Sequence, residues 1–353
     1  MSEKVLMKGN EAIAEAAIRS GCRHYFGYPI TPQTELAAYM AKRMPKIGGT
    51  FLQAESEISA INMVYGVSAS GKRVMTSSSS PGVSLKQEGV SYIAACDLPA
   101  LIVNVQRGGP GLGGIQPSQS DYFQATKGGG HGDYHLLVLT PDSVQEMADL
   151  TALAFDLSDA YRVPAMLLAD GTLGQMMEPV VLPKERTDAA DKPWAVTGTE
   201  GKREHRIVNS LYLVPEELER TNFKRFERYR LIEEREACYE SFAMEDAEYC
   251  VVAYGIAARV SKNAVAAARR EGIRVGLIRP ITVWPFPKQP LREAAETVRG
   301  FLSVELSMGQ MIEDVRLATA CRRPVTLCHR AGGMIPSPEQ VLEAIRRMQG
   351  GNA

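Results

Sequence analysis

The sequence predicts an α/β protein: a doubly wound, mostly parallel sheet, followed by a second, smaller parallel α/β domain. Three observations carry this. From the N-terminus to about residue 180, short apolar runs alternate with segments whose apolar residues recur at helical spacing. Loops rich in Gly, Ser and Pro follow the apolar runs, which a parallel sheet gathers along one edge. The same alternation resumes at Tyr249, after a charged and irregular stretch.

In order, Asn10 caps a helix to about Ser20, with Gly21 as its stop. The strand His24-Tyr25-Phe26 leads into Gly27-Tyr28-Pro29-Ile30-Thr31-Pro32. Thr31 before Pro32 reads as a helix start, a capping hydroxyl and then proline at the first helical position, continued by Leu36, Tyr39, Met40 and Arg43. Phe51-Leu52-Gln53 suits a buried strand end. A helix opens on Glu57, with Ile58, Ile61, Val64 and Tyr65 at helical spacing.

The strand Arg73 to Thr76 runs into four serines, Ser77 to Ser80, then Pro81 and Gly82, with a helix to about Cys96. Ala100 to Val105 is a central buried strand ending at Gln106-Arg107-Gly108-Gly109. Leu136 to Leu139 is another strand, Thr140-Pro141 starts a long helix by the same device as Thr31-Pro32, and Pro164 to Ala169 is a further strand.

From Glu178 to about Glu245 prolines and charge runs break any regular pattern, and Phe223 to Cys238 reads as a solvated helix. Trp194, Tyr212, Phe223, Phe226 and Tyr229 argue against a disordered linker. The second domain has strands at Tyr249 to Tyr254, Arg274 to Ile278, Thr297 to Glu305 and Pro324 to Cys328, with a last helix from about Pro338. The division is 1–180, a connecting segment 181–245, and 246–353.

Composition excludes several classes. A length of 353 residues suits two or three domains with a sizeable core. A net charge of −1 gives no bulk electrostatic case for nucleic acid or an anionic membrane. No apolar run approaches a membrane helix, and MSEKVLMKGNEA lacks the apolar core of a signal peptide, so the expected location is cytoplasmic. The six cysteines, Cys22, Cys96, Cys238, Cys250, Cys321 and Cys328, form no CxxC pair and are expected to be buried free thiols, not metal or cluster ligands. The five histidines show no ligand spacing.

Four loops fall at the carboxyl ends of strands: Tyr28 to Thr34, Ala54 to Glu57, Thr76 to Gly82 and Arg107 to Gly114. In a parallel sheet all four converge on one cleft. Glu57 sits where a helix N-terminus favours a negative charge; on local sequence alone, Glu57 and Glu55 read more readily as first-turn acids of a surface helix, and the other strand-tip loops are what single Glu57 out. Arg107 before a glycine pair suits two-pronged capture of a carboxylate with close approach to the backbone; a structural ion pair is the alternative. GGPGLGG is neither a dinucleotide fingerprint nor a Walker loop. Gly-Gly-Met-Ile-Pro, residues 332–336, reads as a turn before the last helix. Met63, Leu112 and Ile115 are candidates for an apolar pocket.

Together, GYPITPQT, QAESEISAINMVYG, MTSSSSPGVSLKQEG and NVQRGGPGLGGIQPSQSDYFQATKGGGHGD resemble the α subunit of 2-oxoacid:ferredoxin oxidoreductases, above all the branched-chain (2-oxoisovalerate) type, with the 2-oxoglutarate enzymes next. The resemblance covers nearly the whole chain and is densest over residues 8–180. It implies a thiamine diphosphate-binding, pyrimidine-type first domain and a transketolase C-terminal-like second domain. The implied reaction is CoA-dependent oxidative decarboxylation of a 2-oxoacid to acyl-CoA, CO2 and reduced ferredoxin. A β subunit would hold the diphosphate and Mg2+ and carry a [4Fe–4S] cluster; γ and ferredoxin-like δ subunits would complete the assembly.

Carried over residue by residue, Glu57 matches the family's pyrimidine-binding glutamate. Thr31 matches its threonine near the substrate carboxylate, and Arg107 its substrate-binding arginine. The implied cofactor-binding set adds Tyr28, Pro29, Ile30, Ser79 and Ser80; the substrate-binding set adds Gly108 and Gly109. A carboxyl group on the pyrimidine nitrogen sets the ring's tautomer, and the ring's own imine then takes the thiazolium proton. The chain lacks a GDG…N diphosphate–magnesium motif, so it is expected to act only with its β partner. Other readings are a non-redox thiamine diphosphate enzyme component and a non-catalytic scaffold.

Overall fold

The computed structural model of the chain describes residues 4–186 and 192–350. The first region runs β1 (Val5–Lys8), α1 (Gly9–Arg19), β2 (His24–Gly27), α2 (Thr34–Arg43), β3 (Thr50–Gln53), α3 (Glu57–Ala69), β4 (Val74–Ser78) and α4 (Ser80–Ala95). It continues through β5 (Leu101–Gln106), α5 (Tyr122–Thr126), β6 (Leu137–Leu139), α6 (Val144–Tyr161), β7 (Ala165–Asp170), α7 (Gly171–Gln175) and β8 (Met177–Val180). Then come α8 (Pro215–Arg235), β9 (Tyr239–Phe242), β10 (Tyr249–Val252), α9 (Gly255–Arg270), β11 (Val275–Pro280) and β12 (Thr282–Trp284). The chain closes with α10 (Lys288–Thr297), β13 (Gly300–Glu305), α11 (Met311–Ala318), β14 (Val325–His329) and α12 (Pro338–Gln349).

A seven-stranded sheet has the order β12-β6-β7-β5-β4-β2-β3 and a five-stranded sheet the order β14-β13-β10-β11-β9. Each is parallel except at one edge, where β12 and β9 pair antiparallel. The central strands VMTSS, LIVNVQ and AMLLAD are buried along their whole length, as expected of a parallel sheet covered on both faces. In β4 and β5 the burial extends to polar residues, Thr76, Ser77, Ser78, Asn104 and Gln106. Hydroxyls and amides in an otherwise apolar layer, at one end of the strands, mark that end as the place to look for chemistry.

The two sheets are joined by buried polar bonds. Gln119 Nε2 donates to the Tyr254 carbonyl at 2.8 Å, and its Oε1 accepts from Leu306 N at 3.0 Å. Arg279, 1% exposed on β11, forks onto Glu146 of α6 at 2.7 and 2.6 Å and bonds Glu240 of β9 at 3.0 Å. Among the described residues, no helix is long and apolar enough to cross a membrane.

Several expectations need correction. Helix α1 starts before Asn10, whose amide instead donates to the Pro32 carbonyl at 2.8 Å and to Glu35 at 3.1 Å. Thr31 does not cap a helix: α2 begins at Thr34, and the Thr31 and Pro32 carbonyls are engaged by Arg107 and Asn10. Likewise α6 is capped by Ser143, whose hydroxyl accepts from Glu146 N, while the Thr140 hydroxyl bonds Pro280 and Ile281 carbonyls. Thr297 ends α10, and its strand starts at Gly300. The charged helix begins at Pro215, eight residues earlier than Phe223.

Of the cysteines, Cys22, Cys96 and Cys250 are buried, but Cys238 and Cys321 are exposed and Cys328 is partly so. The irregular stretch folds back on this chain. Trp194 lies under the Arg162 guanidinium, and Phe226 and Tyr229 pack edge-on against His135. That packing accounts for Trp194, Phe226 and Tyr229, whereas Phe223 is 63% exposed.

Candidate active site

Strands β2, β3, β4 and β5 pair parallel, so the turns after Gly27, Gln53, Ser78 and Gln106 lie along one edge of the sheet. The four loops singled out in the sequence start from these turns.

Glu57 is the first residue of α3. The preceding Ser56 caps the helix by accepting from Ser59 N at 3.2 Å, which fixes the carboxylate at the helix mouth. Glu57 is only 6% exposed, yet its carboxylate takes no hydrogen bond from any described residue. It lies against the bare backbone of α4. A Cβ built on Gly82 would come within 2.5 Å of Glu57 Oε1 and 2.2 Å of Ser78 Oγ, so only glycine allows this approach. The Ser78 hydroxyl beside it, and that of the next residue, Ser79, are buried without partners among the described residues. A nearly buried acceptor and the orphaned Ser78 hydroxyl, with Ser79 next in the chain, make a polar cradle that no described residue satisfies.

Lys86, one turn further along α4 than Gly82, is fully buried. Its ammonium donates to Thr76 Oγ1 at 3.1 Å and to the Ser77 carbonyl at 3.4 Å. Burial pushes it down to about 8, against the pull of the Glu57 charge. Ser77 shares a hydrogen bond with Tyr25 Oη at 2.7 Å and donates to Gln33 Oε1 at 2.6 Å. Burial raises the Tyr25 phenol to about 12.

Arg107, at the end of β5, is buried and faces two carbonyls: Nη1 donates to Thr31 at 2.9 Å and Nη2 to Leu112 at 3.1 Å. Its Nε is buried without a partner. The structural ion pair that stood as the alternative is not made among the described residues; the guanidinium ties the tip of β2 to the glycine loop. Ser80 is engaged within the chain. Its hydroxyl accepts from Arg107 N at 3.1 Å and donates to Asp121 at 2.6 Å, while its N–H donates to Asn104 Oδ1 at 3.1 Å. Burial raises the Asp121 carboxyl, opposed by bonds from Ser80 and Asn104.

Thr31 is exposed and lines a cavity of about 510 Å³ with Pro32, Ile115, Gln116, Pro117 and Met176 among its other walls. Tyr28 and Pro29 are exposed at the same tip, and Ile30 is half-buried. Gly108 is buried, Gly109 exposed. Of the pocket candidates only Ile115 lines this cavity; Leu112 is 83% exposed and Met63 packs against the core. Glu57 is not among its walls, so the carboxylate cradle and the Thr31 cavity are separate features; Arg107 joins Thr31 to the end of β5, where its N–H also meets Ser80.

The 332–336 loop is more than a turn before α12. The Gly332 backbone lies 3.4 Å from the position a Gly108 Cβ would take, and a Cβ on Gly333 would meet Gln116 at 2.4 Å. The second sheet's domain therefore abuts the glycine loop. Sequence reasoning missed Gln33, Gly82 and Lys86. All three stood inside quoted motifs, but nothing local to them pointed to a role.

Two family models match. The thiamine diphosphate-binding model of pyruvate flavodoxin/ferredoxin oxidoreductases covers residues 15–241, and core domain II of pyruvate:ferredoxin oxidoreductase covers residues 247–341. The chain is 51% identical to a ketoisovalerate oxidoreductase subunit VorB from Methanothermobacter thermautotrophicus, over 98% of both chains. It is 38% identical to the 2-oxoglutarate synthase subunit KorA of the same organism, over 99% of this chain and 100% of that one. A solved 2-oxoglutarate:ferredoxin oxidoreductase from Magnetococcus marinus, with 2-oxoglutarate, coenzyme A and succinyl-CoA bound, superposes with a TM-score of 0.88 at 27% identity. That match covers 98% of this chain and spans 65% of the solved one.

Proposed function

The chain belongs to the pyruvate flavodoxin/ferredoxin oxidoreductase family, and from that membership we propose that it is the α subunit of a 2-oxoacid:ferredoxin oxidoreductase. The reaction is CoA-dependent oxidative decarboxylation of a 2-oxoacid, with 2-oxoisovalerate and related branched-chain acids as substrates. Residues 1–180 form the pyrimidine-binding unit, 181–245 a connection, and 246–353 the second unit, with β12 returning to the first sheet.

The observation that carries the cofactor assignment is the state of Glu57: a nearly buried carboxylate without a donor among the described residues, pressed on Gly82 beside the unpartnered Ser78 hydroxyl, with unpartnered Ser79 next in the chain. These residues fit the aminopyrimidine end of thiamine diphosphate, which offers a ring nitrogen and an amino group to such a cradle. When bound, the cofactor supplies the carbon nucleophile that attacks the keto group and absorbs the charge left by loss of CO2.

The chain's own residues then divide the work. Glu57 holds the ring nitrogen and shares its proton. Ser79, with Ser78, supplies hydroxyls to the ring's polar edge, while Ser80 acts indirectly by bracing Arg107 and Asn104. Tyr28, Pro29 and Ile30 form the wall at the tip of β2. The Thr31 hydroxyl meets the substrate carboxylate, and Arg107 contributes its charge and Nε, with Gly108 and Gly109 leaving the backbone open to a ligand. Magnesium, diphosphate and iron–sulfur groups fall to a β subunit, with γ and δ subunits and ferredoxin beyond it.

The substrate reading has a physical basis in the Thr31 cavity. Its walls include Ile115, Pro117 and Met176 and carry no Lys or Arg. A second carboxylate, as in 2-oxoglutarate, needs a second cation; a branched alkyl chain needs apolar walls. The test is the purified complex assayed with CoA and a one-electron acceptor across 2-oxoisovalerate, 2-oxoglutarate, pyruvate and aryl 2-oxoacids. The expected result is CoA-dependent reduction fastest with 2-oxoisovalerate. Preference for 2-oxoglutarate overturns the substrate assignment, and reduction indifferent to CoA overturns the reaction.

A further inference from the structure

Lys86 has no use in the chemistry described so far, and its position is costly. An ammonium that is fully buried, with a hydroxyl at 3.1 Å and a carbonyl at 3.4 Å as its acceptors among the described residues, loses its hydration for little in return. A methionine would fill similar space without that cost. Buried charges persist where an opposite charge compensates them, and the charges within reach of Lys86 can be traced element by element.

On β4 it meets Thr76 and Ser77, both uncharged. From β2, Tyr25 reaches Ser77, and its phenol is held neutral by burial. Asp121, behind the first turn of α4, is taken up by Ser80 and Asn104. From α3 comes Glu57, whose charge acts on Lys86 although the two form no salt bridge. Glu57 in turn receives no hydrogen bond from a described residue. Glu57 packs on Gly82, one turn before Lys86 on α4, so carboxylate and ammonium lie along the same stretch of that helix, and among the described residues Glu57 is the acid whose field acts on the buried lysine.

We propose that Lys86 is a positioning residue for the cofactor pocket: a fixed positive charge behind Glu57 that biases the proton shared between this carboxylate and the cofactor's ring nitrogen toward the ring. The inference rests on the assignment of Glu57 to the aminopyrimidine. Its physical content is simple. In a dry site a nearby ammonium stabilises the carboxylate form of its neighbour, so the shared proton resides on the nitrogen and not on the oxygen. The opposing groups, Thr76 and Ser77, keep the ammonium from swinging to Glu57 and neutralising it in a closed ion pair.

A consequence follows for pH. Because burial holds the Lys86 ammonium down at about 8, the bias is present at neutral pH and is lost as pH rises through that value. The wild-type complex should therefore show an alkaline decline in kcat near pH 8, with KM for the 2-oxoacid little changed.

The experiment uses the reassembled complex carrying Lys86→Met or Lys86→Arg. It reads three quantities: kcat and KM against pH, thiamine diphosphate affinity, and the near-ultraviolet circular dichroism of the bound aminopyrimidine, which reports its protonation state. Lys86→Met is expected to lower kcat about tenfold at neutral pH, the effect of one unit of altered proton affinity. It should also shift the dichroism signal and abolish the alkaline decline. Lys86→Arg, which keeps its charge at high pH, should restore the neutral-pH signal and move the decline upward. A Lys86→Met complex with wild-type dichroism and pH profile overturns the proposal and leaves the cofactor assignment standing. Should that variant fail to assemble, the wild type decides alone: no change in dichroism or kcat between neutral pH and well above 8 overturns it. Failure of thiamine diphosphate to bind the wild-type complex overturns the assignment of Glu57 and this inference with it.

Discussion

Arg107 donates through Nη1 to the Thr31 carbonyl at 2.9 Å and through Nη2 to the Leu112 carbonyl at 3.1 Å, so one guanidinium fixes two separate loops around the Thr31 cavity. A lysine cannot span both carbonyls, because it offers one nitrogen where arginine offers a fork. Arg107→Lys is expected to leave the complex assembled and to lower kcat/KM for the 2-oxoacid by at least about tenfold, the worth of one lost charge-assisted hydrogen bond. Steady-state kinetics on the purified complex checks this, and an unchanged kcat/KM would show that the Thr31 loop holds its place unaided.

A second expectation concerns the seam between the sheets. Arg279 is buried and carries Glu146 on both terminal nitrogens, Glu240 on Nε, and Asp142 at 3.4 Å. Removing only the cation leaves the carboxylates facing one another, with Lys262 the remaining cation paired to Asp142 and Glu240 among the described residues. Arg279→Met should cost about 3 kcal/mol, read as a lower urea midpoint of the chain. A wild-type midpoint would mean that the cluster is stabilised by its other contacts.

Asp170 gives a pH dependence with a definite sign. It is buried at the end of β7, accepting from Thr172 N at 2.9 Å, Leu173 N at 3.1 Å and Ile256 N at 3.4 Å, and burial lifts its carboxyl from 3.8 to about 6. The native state therefore holds a proton that the unfolded chain has released between about pH 4 and pH 6, so this group lowers stability as pH rises through that window. The loss is on the order of 3 kcal/mol. Asp170→Asn keeps an acceptor oxygen and removes the titration. The difference in urea midpoint between wild type and Asp170→Asn should grow across that interval; a constant difference would contradict the assignment.

The parallel architecture was legible because its strands are dense apolar runs and its helices carry their own spacing. Glu57, Thr31 and Arg107 were legible as strand-tip residues for the same reason. The edges were not. Strands β1, β8, β9 and β12 have only three or four residues each, and β12 pairs with Leu139 and Val138, well over a hundred residues away. Periodicity cannot report such a pairing. The Thr-Pro pairs misled because local capping chemistry lost to tertiary bonds, from Arg107 at Thr31 and to Pro280 and Ile281 at Thr140. Lys86 was invisible for a related reason. A lysine on a helix reads as a solvated face, and only the packed structure reveals that this one points inward.

The central claim is that Glu57 holds the ring of thiamine diphosphate in a site completed by another chain. The direct measurement is CoA-dependent turnover of 2-oxoisovalerate by a reassembled complex carrying Glu57→Gln, alongside its assembly state. We predict an assembled complex whose turnover falls by roughly 10²–10⁴-fold, the usual contribution of a positioned proton-transfer group. Turnover at the wild-type rate in an intact Glu57→Gln complex would contradict the account.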